Sequence, residues 1–502
     1  PVLNAEEHIQ QLIQYPYGCL EQTTSRAWPL LLVEKQDLGL FTSEKQAEIF
    51  SKRTELIEQA IGRVLGMQRY DGSFGLWNND SPEEYWLTVY ATEFLLKARS
   101  LGYTISQQAI DNAVKRLQYY VKGRNYLYSD LKKYLSNENY YKLSYQAYAA
   151  YVLASVKSVN LQDVRKIYDS NYQNSKGPLP LAYLALALEQ LGDNLRAKDA
   201  WQRAIDFKWQ QNRYSYYGDY GSKVRDYAQI IGLSLQSNLA QSLPSSALQL
   251  VKPLQSEILS NRWLSTQERG ALFRTAKELD KNRNGNEKWN ANLSINDEEN
   301  IINQAEDLIK VLHDKKAKSS LVITNNGNMP LYLDFKTQGY SLKPQAESNG
   351  IKVKRRYFNL QGDNLNISNI KTGDMVLVHI NMTLDKKYSY LPDAMLVELL
   401  PAGLELENQN LEHSMKLDEI KIDGKYIYDW TSNTYVKHSE YRDDRFIAAL
   451  SLSSYKDNDL FYLARAVTPG EFTVPPSLVE DMYRPEIRTV GKADGQMVIT
   501  EK

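Results

Sequence analysis

One cysteine stands in this chain of 502 residues, and three positions after it stands a glutamine. Residues 15–26 read Tyr15-Pro16-Tyr17-Gly18-Cys19-Leu20-Glu21-Gln22-Thr23-Thr24-Ser25-Arg26. A thiol and a carboxamide at that spacing can close a ring through their side chains where the backbone turns tightly. The thiolate attacks the amide carbon, ammonia leaves, and a thioester remains. Gly18 supplies backbone freedom beside the cysteine, and Pro16 stiffens the approach. A helix N-terminus beside Cys19 would lower the thiol pKa, favouring thiolate both as ring-forming nucleophile and as leaving group. A thioester is poorly resonance-stabilised compared with an amide and stays electrophilic toward amines, so it survives only where water is excluded. Tyr15, Tyr17 and Trp28 are the nearby aromatics able to form a dry wall. Taken alone, the tetrapeptide is equally compatible with a lone buried cysteine packed as a small hydrophobe.

The elements that must position this pair are helical. Up to about residue 282 the apolar residues recur with the helical period. Ser43 with Gln46 reads as a capping box, followed by the stripe Ile57, Ala60, Ile61, Val64 and Leu65. Trp28–Val33 reads as a helix that Pro29 bends or opens. Further helical blocks are expected at Tyr85–Leu101, Tyr145–Val156, Leu181–Leu191, Ala197–Phe207, Tyr227–Leu235 and Thr266–Leu279. Long apolar helices alternate with more polar ones, as in stacked α-hairpins that extend into a solenoid or close into a ring. The hairpin Ala185–Ile205 resembles a tetratricopeptide unit, but no second good copy occurs, so it reads as a packing hairpin. Near residue 280 the texture changes. Asp280–Asn286 is a polar linker, and β-type alternation follows: Ser320–Thr324, a turn at Asn325-Asn326-Gly327, Leu331–Phe335, Met375–Met382, Ala394–Leu400, Phe446–Leu452 and Leu460–Val467, as in a β-sandwich. Asp297–His313 reads as a short acidic helix.

Composition narrows the field. Sixty basic residues balance 61 acidic ones, against the basic excess of nucleic-acid proteins. A single thiol excludes an internal disulfide framework and any multi-cysteine metal site. The five histidines (His8, His313, His379, His413 and His438) are scattered without ligand spacing, so neither metal nor cofactor is expected. No apolar run reaches membrane-spanning length, and the start at Pro1 shows neither an initiator methionine nor a secretory signal, so the sequence is expected to be part of something longer. Gln68–Trp77 resembles the turns of helical toroids. Its bland reading is a hairpin turn with Gly72 at positive φ. Its sharp reading makes Asp71, Asp80, Glu83 or Glu84 the acid and base of a glycosidase-like enzyme. The tyrosines around Tyr119-Tyr120, Tyr140-Tyr141 and Tyr214–Tyr220 suit either hairpin packing or a sugar- or protein-binding surface, so a non-covalent binding module stands as the rival function.

The segment Tyr17–Thr23 closely resembles the thioester signature of the α2-macroglobulin and complement family, with Leu20 and the preceding Tyr15-Pro16 looking like its bacterial branch. Pro401–Leu404, Glu440–Phe446, Val467–Phe472 and Val479–Pro485 look like the C-terminal domain of bacterial members. The resemblance implies an α/α toroid of helical hairpins over residues 1–282 as thioester domain. A β segment over 283–345, part of a split β-sandwich, and a macroglobulin-like β-sandwich over 346–502 would follow. It implies a protease-trapping inhibitor rather than a turnover enzyme. Cleavage of a bait segment exposes the thioester, a lysine amine of the protease takes the Gln22 acyl group, and Cys19 leaves. Gly18, Leu20 and Glu21 would complete the reactive loop, and Met482 and Tyr483 would form a lid with Tyr15. The acyl-accepting histidine of some complement relatives follows the motif, whereas His8 precedes it, so direct reaction with amines is expected. Family analogy further implies upstream macroglobulin domains and a bait region, without which this stretch traps nothing. It also implies a periplasmic location with an inner-membrane anchor in the full-length protein, and a penicillin-binding enzyme of cell-wall synthesis as a partner.

Overall fold

The computed structural model describes residues 3–14, 18–124, 126–209, 217–243, 246–260, 263–281, 288–296, 298–304, 308, 320–328, 331, 333, 335, 345–408 and 416–501. The chain divides into two compact units, Pro1–Ser260 with Thr266–Gln338, and Asn261–Ser265 with Gly339–Lys502.

Among the described residues, twelve helices of the first unit form two concentric layers. The inner layer is α2 (Leu20–Leu32), α4 (Tyr85–Ser100), α7 (Glu138–Ser155), α9 (Leu179–Gln190), α11 (Lys223–Ser234) and α14 (Thr266–Lys281). The outer layer is α1 (Ala5–Gln14), α3 (Ser43–Gly66), α5 (Gln107–Val121), α8 (Leu161–Asn171), α10 (Asn194–Ile205) and α13 (Val251–Ser260). The short α6 (Ser129–Tyr134) and α12 (Asn238–Gln241) lie in connections. Each inner helix packs on the next, and α14 returns to α2, closing the ring. Sequence decides the layer. Every residue of α9 from Leu179 to Leu188 is buried, as a helix surrounded on all sides requires. Outer helices bury one stripe each: Ile110, Ala113, Leu117, Tyr120 and Val121 of α5, or Ala197, Ala200, Trp201, Ala204 and Ile205 of α10. The hairpin with tetratricopeptide character is the α9–α10 pair. Gly192 turns at φ 87°, and Asp193 caps α10 by accepting the Arg196 N–H.

Two arginines inside this unit are held in ion pairs. Arg225 is held by Asp226 at 2.6 Å and Asp219 at 3.2 Å, and Arg274 by Glu93 at 2.7 Å. The inner tyrosines stack on one another, Tyr148 on Tyr183 at 4.4 Å, and place their hydroxyls on acids, as Tyr140 does on Asp219 at 2.8 Å. Hairpin packing therefore accounts for most of the tyrosines; Tyr119 is exposed, and Tyr214–Tyr216 lie outside the described residues.

Several expected boundaries move. α2 begins at Leu20 rather than Trp28, because Cys19 caps it, and Pro29 lies within the helix at the loss of one backbone hydrogen bond. The cap of α3 is Thr42, whose hydroxyl accepts the Lys45 N–H, while Gln46 reaches back to the Phe41 carbonyl at 3.0 Å. α7 starts at Glu138, capped by Asn137, well before Tyr145. The acidic block expected as a helix is, in its described part, a strand: Glu298–Gln304 pairs antiparallel with Trp289–Ile295, which also pairs with Leu321–Asn325. Asn296 takes φ 51° between the first two strands, a hairpin-turn conformation that outweighs the acidic, helix-like composition of the block. The expected strand Leu331–Phe335 lies partly outside the described residues.

The second unit is a β-sandwich. One sheet runs Tyr435–Arg442, Arg445–Ser453, Tyr390–Leu399, Leu478–Asp481, Arg488–Val490, Glu347–Asn349. The other runs Ile351–Phe358, Met375–Leu384, Asn458–Ala466, Leu404–Glu407. Alternation sends Val376, Val378 and Ile380 into a core shared with Leu396, Ala448 and Leu450 of the facing sheet. The reverse face carries Phe358, Leu377, Phe461 and Leu463 under Ile422 and Ile427. His379 lies on this reverse face. Its Nε2 bonds Asp459 at 2.7 Å, and Arg356 meets Nδ1 at 3.2 Å.

Candidate functional site

Cys19 is the N-cap of α2 and Gln22 is its third residue. The pair interlocks. The Cys19 sulfur accepts the Gln22 backbone N–H at 3.5 Å, and the Gln22 Oε1 accepts the Cys19 backbone N–H at 3.3 Å. This is the capping-box arrangement with a thiol in place of the usual hydroxyl. It folds the carboxamide back over the first turn, onto the side where the sulfur lies. The N–H pointing at the sulfur, together with the helix N-terminus, favours negative charge there. Cys19, Leu20, Glu21 and Gln22 are each 0% exposed, so the thiol and carboxamide meet away from bulk water.

Three anchors hold this turn. The Leu20 N–H donates to the Leu76 carbonyl at 2.7 Å. Arg63 of α3 donates from Nε to the Gly18 carbonyl at 2.8 Å, and its guanidinium lies so close over Gly18 that an added Cβ would meet Nη2 at 2.6 Å. Glu21 points away from the pair toward α14. Its carboxylate accepts from Ser25 Oγ at 2.6 Å, Thr266 Oγ1 at 2.6 Å and Gln267 Nε2 at 2.8 Å. Desolvation raises the Glu21 carboxyl above its ordinary range, and the three donors oppose that rise.

The comparisons bear on what this turn belongs to. Residues 1–174 match the A-macroglobulin TED domain family, and residues 350–486 match the bacterial alpha-2-macroglobulin MG10 domain family. The solved structure of native Escherichia coli alpha-2-macroglobulin, spanning domain MG7 to the C-terminus, is 32% identical with a TM-score of 0.84. The alignment covers 99% of this chain and 76% of that one. This chain belongs to the bacterial alpha-2-macroglobulin family. A Salmonella alpha-2-macroglobulin reacted with methylamine is 31% identical at TM-score 0.82, with 100% of this chain and 31% of that one covered. The Escherichia coli protein activated by porcine elastase is 32% identical at TM-score 0.50, covering 99% and 43%. Against the curated Escherichia coli K12 sequence the identity is 34% over 99% of this chain, which spans only 29% of that relative's length.

Within this macroglobulin chain the expected site residues fall as follows. Gly18, Cys19, Leu20, Glu21 and Gln22 form one turn, buried from Cys19 onward. Trp28 sits six residues beyond Gln22, about 9 Å along the helix axis, against Phe94 and beneath Arg274 at 4.1 Å. Tyr15 and Tyr17 lie outside the described residues. Met482 and Tyr483 belong to the β-sandwich unit. There the Met482 N–H donates to the Asp393 carbonyl at 2.9 Å, and Tyr483 N–H to Asp481 at 3.0 Å. His8 is buried beside Arg269, at 3.5 Å from its guanidinium, while His313 and His413 lie outside the described residues. Three of the four carboxylates of the glycosidase-like reading serve structure. Arg116 pairs with Asp71 at 3.4 Å and donates to Glu83 at 2.8 Å, Glu84 accepts from Tyr220 at 3.1 Å, and Asp80 is exposed. Family members are protease inhibitors rather than enzymes, in line with that arrangement. Sequence reasoning missed Arg63, Leu76, Thr266 and Gln267. Only the Gln68–Trp77 turn gave a signal, and it pointed to a different chemistry.

Proposed function

We propose that this chain is the thioester-bearing portion of a protease trap. Cys19 and Gln22 condense with loss of one ammonia: the sulfur–carbon bond forms, the carbon–nitrogen bond of the carboxamide breaks, and the thiol proton departs with the nitrogen. After bait cleavage elsewhere in the full protein, a lysine amine of the protease attacks the Gln22 carbonyl. An amide to the target forms and Cys19 is released as a thiol. One observation carries this reading: the reciprocal Cys19–Gln22 cap in a fully buried first turn. The methylamine-reacted and elastase-activated relatives support it by their chemistry. Direct transfer to amines is favoured over a relay through histidine, because His8, the histidine among the described residues of the helical unit, already faces Arg269. Upstream macroglobulin domains with a bait, a periplasmic, membrane-anchored setting and a cell-wall-synthesis partner belong to the same proposal, by family analogy.

Intact mass tests it. Fresh protein is expected one ammonia lighter than its sequence. Methylamine adds its own mass and frees one thiol in the same step, and Cys19→Ala shows neither change. Protein of full sequence mass, with a Cys19 thiol titratable on unfolding without any amine, would overturn the reading in favour of a non-covalent module.

A further inference from the structure

Glu21 lies between the two reacting residues, yet its side chain turns to α14, the last helix of the ring. Its partners on α14, Thr266 and Gln267, are 3% and 4% exposed, and Ser25 and Tyr90 close the remaining sides, with Ser25 Oγ 3.0 Å from the Tyr90 hydroxyl and 3.3 Å from Gln267 Nε2. Among the described residues, the hydrogen-bond partners of the carboxylate are neutral donors, so the cluster is not a charge pair. It is a directional lock. A buried acceptor that loses a donor keeps the full desolvation penalty, so rotation of the first turn of α2 away from α14 is opposed by two hydrogen bonds at once.

That first turn is where Cys19 and Gln22 meet. Gly18, just ahead of the N-cap, is tied to Arg63, so a small rotation of the helical first turn about the α2 axis shifts Gln22 relative to Cys19. We propose that Thr266 and Gln267, acting through Glu21, are positioning residues of the thioester centre. They fix the azimuth of the first turn of α2, and so set both how readily the Cys19–Gln22 ring closes and how long it resists water. This inference rests on the thioester reading above.

The test is made on the full chain with three α14 variants. Thr266→Val removes a donor at nearly constant shape, Thr266→Ser keeps the hydroxyl, and Gln267→Glu sets a carboxylate against Glu21. Thioester content is read as the ammonia mass deficit, and its lifetime as the appearance of a free thiol in buffer without amine. Thr266→Val and Gln267→Glu are expected to lose the bond to water about tenfold faster, while Thr266→Ser stays near the parent. A purely structural role predicts instead a lower melting temperature with bond content and lifetime unchanged. Parent-like lifetimes in both Thr266→Val and Gln267→Glu overturn the positioning role while leaving the thioester intact. Absence of the mass deficit in the parent protein removes the thioester itself, a different result.

Discussion

Asp226 of α11 is fully buried with one carboxylate oxygen lacking a hydrogen-bond partner, while the other holds Arg225. Arg225 is shared with Asp219, whose own carboxylate also receives the Tyr140 hydroxyl. Two acids thus compete for one guanidinium. Burial pushes the Asp226 carboxyl up to about 6 from 3.8, against the pull of Arg225. An acid that holds its proton more tightly folded than unfolded favours the folded state in acid, and that advantage is lost as pH rises from about 4 to about 6. Asp226→Asn should remove this loss. Its urea midpoint relative to the parent is expected to improve between pH 4 and pH 7.5, by an amount on the order of 3 kcal/mol in unfolding free energy. A parent–variant difference that does not change with pH would contradict the assignment. At this scale the meeting of Cys19 and Gln22 was legible, because their spacing alone brings the two side chains together. Glu21 was legible only as a member of the ring, since the donors that explain it stand 245 and 246 positions away.

The turn between α3 and α4 shows how an element serves a site it does not contain. Gly72 takes φ 84°, and a Cβ there would meet the Asn112 carbonyl at 2.2 Å, so the turn presses directly onto the backbone of α5. The same turn delivers the Leu76 carbonyl to the Leu20 N–H. Gly72→Ala is therefore expected to cost roughly 2–3 kcal/mol, seen in thermal denaturation. It should also raise the rate at which methylamine opens the centre, because the first turn of α2 loses its fixed acceptor. Unchanged methylamine kinetics with a lowered melting point would confine the turn to packing. The positive φ at Gly72 was readable from the sequence, as were the core strands expected at Met375–Met382 and Phe446–Leu452, short apolar runs bounded by turn residues. The starts of α4 at Tyr85 and α14 at Thr266 were readable too, but those of α2 and α3 were not. Cys19 is an unusual cap, and Thr42 beside Ser43 offers two hydroxyls of which only geometry selects one. The strand Glu298–Gln304 carries an acidic, helix-like composition that pairing with Trp289–Ile295 overrides.

Across the whole molecule, the chain combines a closed helical ring and a β-sandwich while spanning 29% of the length of its Escherichia coli relative. Ring closure was one of two outcomes compatible with alternating apolar and polar helices. What decides it is the packing of α14 back onto α2, a long-range contact that local periodicity does not encode. That closure has a spectroscopic consequence. The phenols of Tyr90, Tyr120, Tyr140, Tyr148, Tyr151 and Tyr183 are all buried in the helical unit, and burial there pushes each above the ordinary tyrosine range. In the unfolded chain they ionise near 10, so alkali pulls the equilibrium toward unfolding. Phenolate absorbance of these six rings should consequently rise in a late, steep step that coincides with loss of helical circular dichroism. The interior rings would act as a built-in optical alarm, silent while the barrel of helices holds and sounding together when it opens.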